Sequence, residues 1–150
     1  MSFAESVSLF LRLSVICNLH LATGNFKGME ASTAIGIVGP CAAGKTTLVN
    51  RLKDLGYEVH HIAQEHSFVP DMWLQVVSPK ILIYLDVTFS ESINRRPSDM
   101  TPLEFREQEQ RLIHARQHAD LYIQTSDLSP DEVFERVIAY LEKRGIRPRI

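Results

Sequence analysis

The stretch Gly39-Pro40-Cys41-Ala42-Ala43-Gly44-Lys45-Thr46-Thr47 constrains this chain more than any other. It fits the pattern G-x-x-x-x-G-K-[ST], with Gly39, Gly44, Lys45 and Thr46 at the fixed positions. Ahead of it, Ala34 to Val38 form a short apolar run rich in β-branched residues, as in a strand buried within a parallel sheet. Behind it, Leu48, Leu52 and Leu55 fall on one helical face, and Gly56 is placed to end that helix. Strand, loop, helix is the order the pattern requires.

The residue types have a physical logic. Glycines let backbone N–H groups turn inward and let a phosphate approach the main chain, and a helix starting near Gly44 adds unpaired donors and the positive end of its dipole. In such a loop Lys45 reaches the β- and γ-phosphates as a mobile point charge. The Thr46 hydroxyl ligates a magnesium ion bridging those phosphates, while Pro40, Cys41, Ala42, Ala43 and Thr47 complete a small cradle. The segment therefore predicts a P-loop with ATP and Mg2+ as cofactors, or a nucleoside triphosphate more generally.

Composition sets limits on this reading. A chain of 150 residues with 45% hydrophobic and 23% charged residues and a net charge of −2 suits one globular domain, without the basic excess that accompanies nucleic-acid binding. Cys17 and Cys41 are the only cysteines, so a disulfide framework is not expected and a reducing cytoplasm fits. Cys41 lies beside an expected helix N-terminus, where thiol pKa values fall, and is a candidate oxidation-sensitive thiol; the plainer alternative is a small residue at a permissive position. Residues 8–22 are apolar but broken by Arg12, Asn18 and His20, too short and too polar for a membrane span. A signal peptide fits poorly, because Glu5 stands where positive charge belongs. Residues 1–31 are instead expected to be an extension with little fold of its own, with Met29 as an alternative start. Residues 32–146 then form the domain, and 147–150 a tail.

Beyond the first helix, strands and helices alternate. Tyr57–Ala63 predicts a second strand, Pro70 a helix start, and 80–87 the most strand-like run, ending at Asp86 and Val87. Ser90–Arg96 predicts a short helix stopped by Pro97. Thr101, Pro102 and Glu104 form a helix-start signature for a helix to about His118. Residues 121–125 predict the last strand, and Ser129, Pro130 and Glu132 repeat the signature before a helix whose Val133, Val137, Ile138 and Leu141 share a face, closed by Gly145. The expected fold class is α/β: a three-layer P-loop NTPase fold, with a parallel sheet and helices on both faces. Ligands in such sheets sit at the carboxyl ends of the strands, which marks Gln64, Glu65, His66, Asp86, Ser126 and Asp127.

The loop, the segment Ile81-Leu82-Ile83-Tyr84-Leu85-Asp86-Val87 with its helix ending in Arg95-Arg96, and the stretch 118–141 together resemble the adenylate, shikimate, gluconate and adenylylsulfate kinase group over residues 33–144. The resemblance implies phosphoryl transfer from ATP to a small-molecule acceptor. It places Arg95 and Arg96 in a lid closing over ATP, as catalytic partners of Lys45, and Ser126 and Asp127 near the adenine. Glu65 is the nearest match to the acidic residue after the second strand that acts as base or metal partner. The chain departs from the group between residues 64 and 79, where the usual third strand and acceptor-binding insertion have no room. That keeps open a module that binds or hydrolyses nucleotide without a conventional acceptor site.

Alternatives remain for single residues. Arg95 and Arg96 also suit a solvated helix C-terminus, where cations are favourable. Glu65 also suits an exposed loop, and Trp73 either stacks on a flat substrate or caps the core. Asp86, an aspartate closing an apolar strand, is a candidate second magnesium ligand beside Thr46, or a structural strand-end residue. His114 and His118 have zinc-compatible spacing but no third ligand nearby in sequence, so a solvent-facing pair is expected. Arg106, Glu107, Glu109, Arg111 and Arg116 are expected to form a solvated face. Neither N-K-x-D nor D-x-x-G occurs, which argues against a GTPase.

Overall fold

The computed structural model describes residues 32–149. Four strands, β1 (Ile35–Val38), β2 (Val59–His61), β3 (Ile81–Asp86) and β4 (Leu121–Gln124), form one sheet in the order β2-β1-β3-β4. Every pairing is parallel, with Ile35 opposite both Val59 and Ile81, and Tyr84 opposite Tyr122. The helices are α1 (Lys45–Asp54), α2 (Met72–Val76), α3 (Phe89–Arg95), α4 (Pro102–His118) and α5 (Pro130–Lys143), with a 3-10 turn at Gln64–His66. The α/β expectation with a parallel sheet is met. The readings made for residues 1–31 lie outside the described residues.

Strand alternation sorts the core into two clusters. Ile35, Ile37, Ile81, Ile83 and Leu85 pack with Leu48, Val49 and Leu52 of α1 and Val133, Val137 and Leu141 of α5. Val38, Leu82 and Tyr84, one residue out of phase, pack with Ile62, Trp73, Leu112 and Ala115. Residues of β1 and β3 thus meet apolar partners through both side-chain directions, which is why their sequences are continuously apolar.

Several boundaries differ from the expectation. The second strand shrinks to three residues because Ile62 already turns into the second cluster and Gln64 begins the 3-10 turn. Leu55 is 48% exposed, and Val49 takes its place on the buried face of α1. Both helix-start signatures form complete capping boxes, at Thr101–Glu104 and Ser129–Glu132. The segment after α5 stays fastened: Ile146 is buried, Arg149 N–H donates to the Gly56 carbonyl, and the Arg149 guanidinium lies 3.0 Å from Glu58. No described helix is long and apolar enough to cross a membrane.

The strand order places the site. From β1 the chain steps to β2 on one side, then crosses back to β3 on the other, so the connections diverge at the carboxyl ends of β1 and β3. A crevice forms where connections diverge. The loop 39–44 lies there.

Candidate functional site

Two glycines shape the loop. A Cβ on Gly39 would collide with the Leu85 carbonyl, so this position accepts no side chain while β1 and β3 remain paired. Gly44 has φ +94 with open space around it, and it caps α1 without supplying any side-chain bond. The first-turn N–H groups of α1 therefore lack a side-chain cap, and no acidic residue occupies that turn to neutralise the dipole. Ala42 carries φ +62, a left-handed conformation that costs a residue with a Cβ about 1 kcal/mol or more.

The loop is held from behind by side chains of three other elements. Gln108 of α4 accepts from the Cys41 N–H (3.1 Å) and donates to the Cys41 Sγ (3.3 Å). Ser92 of α3 donates to the Cys41 carbonyl at 3.2 Å, and the hydroxyl of Thr125, just after β4, to that of Ala43 at 3.3 Å. Arg95 donates to the carbonyls of Ala42 and Thr125 and to the Thr125 hydroxyl. These bonds fix the outer carbonyls of the loop, leaving its inner surface to a cavity of ≈ 630 Å³.

That cavity brings together most of the residues marked by sequence. Cys41 to Thr47 form one wall, His61, Glu65 and His66 a second, and Arg95, Arg96 and Ser126 a third. Arg95 is committed to the loop and to Glu91 (3.2 Å), whereas Arg96 has no side-chain hydrogen bond or ion pair among the described residues. Gly39 and Pro40 contribute through their carbonyls, which accept from the Lys45 ammonium. Asp127 is exposed and outside the cavity lining.

At the centre lies a buried ion pair. Lys45 Nζ is 2.9 Å from Glu65 Oε1, with side chains 6% and 4% exposed. The exposed-loop alternative for Glu65 is therefore incorrect. Its other oxygen, Oε2, is buried without any hydrogen-bond partner, a state that costs about 1–3 kcal/mol for a neutral acceptor and more for a charged one. His61, at the exposed end of β2, has its pKa lowered, first by partial desolvation against the cavity wall, then by the positive charge of Lys45 and by His66, with Glu65 opposing.

Asp86 stands apart. Alternation along β3 sends its side chain to the face shared with Leu82 and Tyr84, where Oδ1 accepts from the Val87 N–H at 2.9 Å. Oδ2 accepts from the Tyr122 hydroxyl and lies 3.7 Å from Arg116. With burial as the larger cause and the Asp86 bond next, the Tyr122 pKa is pushed up to about 12. These contacts favour the structural strand-end alternative for Asp86 over the magnesium-ligand one, and Asp86 is not part of the cavity lining. Trp73 is buried in the second cluster, and its indole N–H donates to His114 at 3.1 Å, so it does not face a substrate. His114 is accordingly a half-buried partner rather than a solvent-facing residue. Arg111 is likewise more than a solvated charge: it donates to the Glu65 carbonyl at 3.2 Å and covers the Phe68 ring.

Sequence reasoning missed Gln108 and Thr125, and it marked Gln64 for a ligand rather than for the fold. Gln108 interrupts the buried stripe Phe105, Leu112, Ala115 of α4, and a polar residue in an apolar stripe was the available signal. Gln64 is fully buried and ties the Val69 carbonyl (2.8 Å) and the Trp73 N–H (2.9 Å) together. Its place after a strand marked it as a ligand candidate, and nothing in sequence signalled that it anchors the turn instead. No protein-family model and no curated protein matches this chain.

The residues present suit a magnesium–triphosphate group. Thr46 and the uncapped start of α1 line the cavity, the space around Gly44 is open, and Glu65 has a spare buried oxygen.

Proposed function

We propose that this chain is a P-loop nucleotide-binding protein of three-layer architecture, working in the reducing cytoplasm. Its reaction transfers the γ-phosphate of ATP to a small-molecule acceptor, as in the small-molecule kinases that its sequence resembles. The observation that carries the reading is the buried Lys45–Glu65 pair, set between the uncapped start of α1 and the His61–His66 wall. It joins a phosphate-attracting cation to a carboxylate with a free oxygen.

Phosphoryl transfer needs mainly positioning and positive charge around the transferred group. The loop N–H groups and Lys45 hold the phosphate chain, Thr46 presents its hydroxyl to magnesium, and Arg96 is the unpaired cation able to meet the transferred group. Magnesium, when bound, neutralises charge between the β- and γ-phosphates. Glu65, released when Lys45 turns to phosphate, accepts the proton of an acceptor hydroxyl placed against His61 and His66. The acceptor space is confined to that wall, because residues 67–77 fold over Gln64 and bury Trp73 rather than forming a separate lobe.

The test measures ADP release with ATP and magnesium, alone and across a panel of nucleosides, nucleotides and sugars. Acceptor-dependent release that Glu65→Gln lowers at least tenfold supports the kinase. Release without acceptor, or none across the panel with ATP still bound, leaves the nucleotide module instead.

A further inference from the structure

Cys41, Glu65 and His66 present a sulfur, a carboxylate oxygen and a ring nitrogen that all lie within 4.8 Å of one another. The Cys41 Sγ is 3.8 Å from His66 Nε2, and the same nitrogen is 3.8 Å from Glu65 Oε1. A tetrahedral zinc ion with Zn–S of about 2.3 Å and Zn–N of about 2.1 Å sets its sulfur and nitrogen ligands about 3.6 Å apart. The side chains therefore stand close to a coordinating arrangement without rearrangement of the backbone. We propose that Cys41, Glu65 and His66 form a binding site for a zinc-class divalent ion at the mouth of the cavity, separate from any magnesium carried by a nucleotide.

Three features support it besides the spacing. Glu65 is 3% exposed; its Oε1, the oxygen beside His66, is shared with Lys45, while its Oε2 has no partner, so the buried carboxylate keeps an uncommitted oxygen when it turns to a cation. Gln108 donates to the Cys41 sulfur at 3.3 Å, the kind of outer contact that orients a metal ligand and steadies a thiolate. All three ligands line the cavity, which leaves a fourth position open to water or to a bound molecule, as in zinc sites that are not purely structural. A thiolate with an imidazole favours zinc, cobalt or copper over magnesium, which takes oxygen ligands.

Binding releases the Cys41 thiol proton to solvent as the sulfur–metal bond forms. Lys45 shares Glu65 with the metal. It retains the Gly39 and Pro40 carbonyls as partners, so the ammonium is not stranded when the carboxylate turns to the ion. The bound ion would link the loop to the 3-10 turn at Gln64–His66.

The proposal does not rest on the kinase reading, and its test uses no nucleotide. The full chain, freed of metal with a chelator, is titrated with Co2+ as an optical stand-in, followed by Zn2+. One equivalent of Co2+ should produce a sulfur-to-cobalt charge-transfer band in the near ultraviolet, removed by one equivalent of Zn2+ and unaffected by millimolar Mg2+. Cys41→Ser should abolish the band while Cys17→Ser keeps it, and unchanged thermal unfolding of Cys41→Ser without metal shows that the fold survives. His66→Ala, at an exposed position, should weaken Zn2+ at least tenfold in competition with a chromophoric chelator. Absence of the band at stoichiometric Co2+, its persistence in Cys41→Ser, or wild-type Zn2+ affinity in His66→Ala overturns the site.

Discussion

Lys45 and Glu65 are each enclosed, and each has the other as its opposite charge, so removing one leaves an uncompensated buried group. Such a loss costs about 3–5 kcal/mol, whereas removing both charges together costs less. Lys45→Met should therefore destabilise strongly, and Lys45→Met with Glu65→Gln should recover much of the loss. Urea denaturation of the four species gives the coupling, and additive losses would show that the pair is not energetically joined. The neighbouring arginines divide differently. Arg95 is bound to Ala42, Thr125 and Glu91, and Arg96 to nothing through its side chain among the described residues. Arg95→Ala should lower Tm by several degrees, while Arg96→Ala should leave Tm unchanged and lower kcat more than ATP affinity. Equal effects of the two variants on Tm would contradict the assignment. The sequence displayed both arginines as one dipeptide; only the contacts of Arg95 distinguish a loop clamp from a free cation.

At the scale of elements, the most legible features were those coded by neighbours in sequence. The capping boxes at Thr101 and Ser129 need only residues three apart, and both form with Glu104 and Glu132 donating nothing and accepting at the cap N–H. Ser129→Ala should cost about 1 kcal/mol by loss of the bond to the Glu132 N–H, read as a lower urea midpoint at constant slope. An unchanged midpoint would mean that packing of Val133, Val137 and Leu141 alone fixes the start of α5. β1 and β3 were legible for a similar reason, since both their faces are buried and their sequences are continuously apolar. β2 was expected within Tyr57–Ala63 and lies there, but its limits were not legible, because its two histidines are exposed and its end is decided by where Gln64 anchors.

Across the whole domain, the cavity joins residues far apart in sequence, and its charges act on one another. His61 resists protonation in the folded state relative to its ordinary value of 6.5. Between the folded pKa and 6.5 the unfolded chain binds more protons, so stability rises with pH in that window and falls as pH drops through it. Denaturation midpoints measured from about pH 7 down to about pH 5 should fall, and His61→Gln should flatten that slope. A slope unaltered by the substitution would assign the acid sensitivity to other groups. The sequence by itself determined the glycine-bearing loop between a buried strand and a helix, the alternation of strands and helices, and the helix caps, because each depends on residues adjacent along the chain. Tertiary structure alone decided that Asp86 turns toward Tyr122 and Arg116, that Trp73 is core, and that Glu65 meets Lys45 and Cys41. Those outcomes depend on strand phase, on the 3-10 turn anchored by Gln64, and on charges brought together by the crossing from β2 to β3, none of which local spacing encodes.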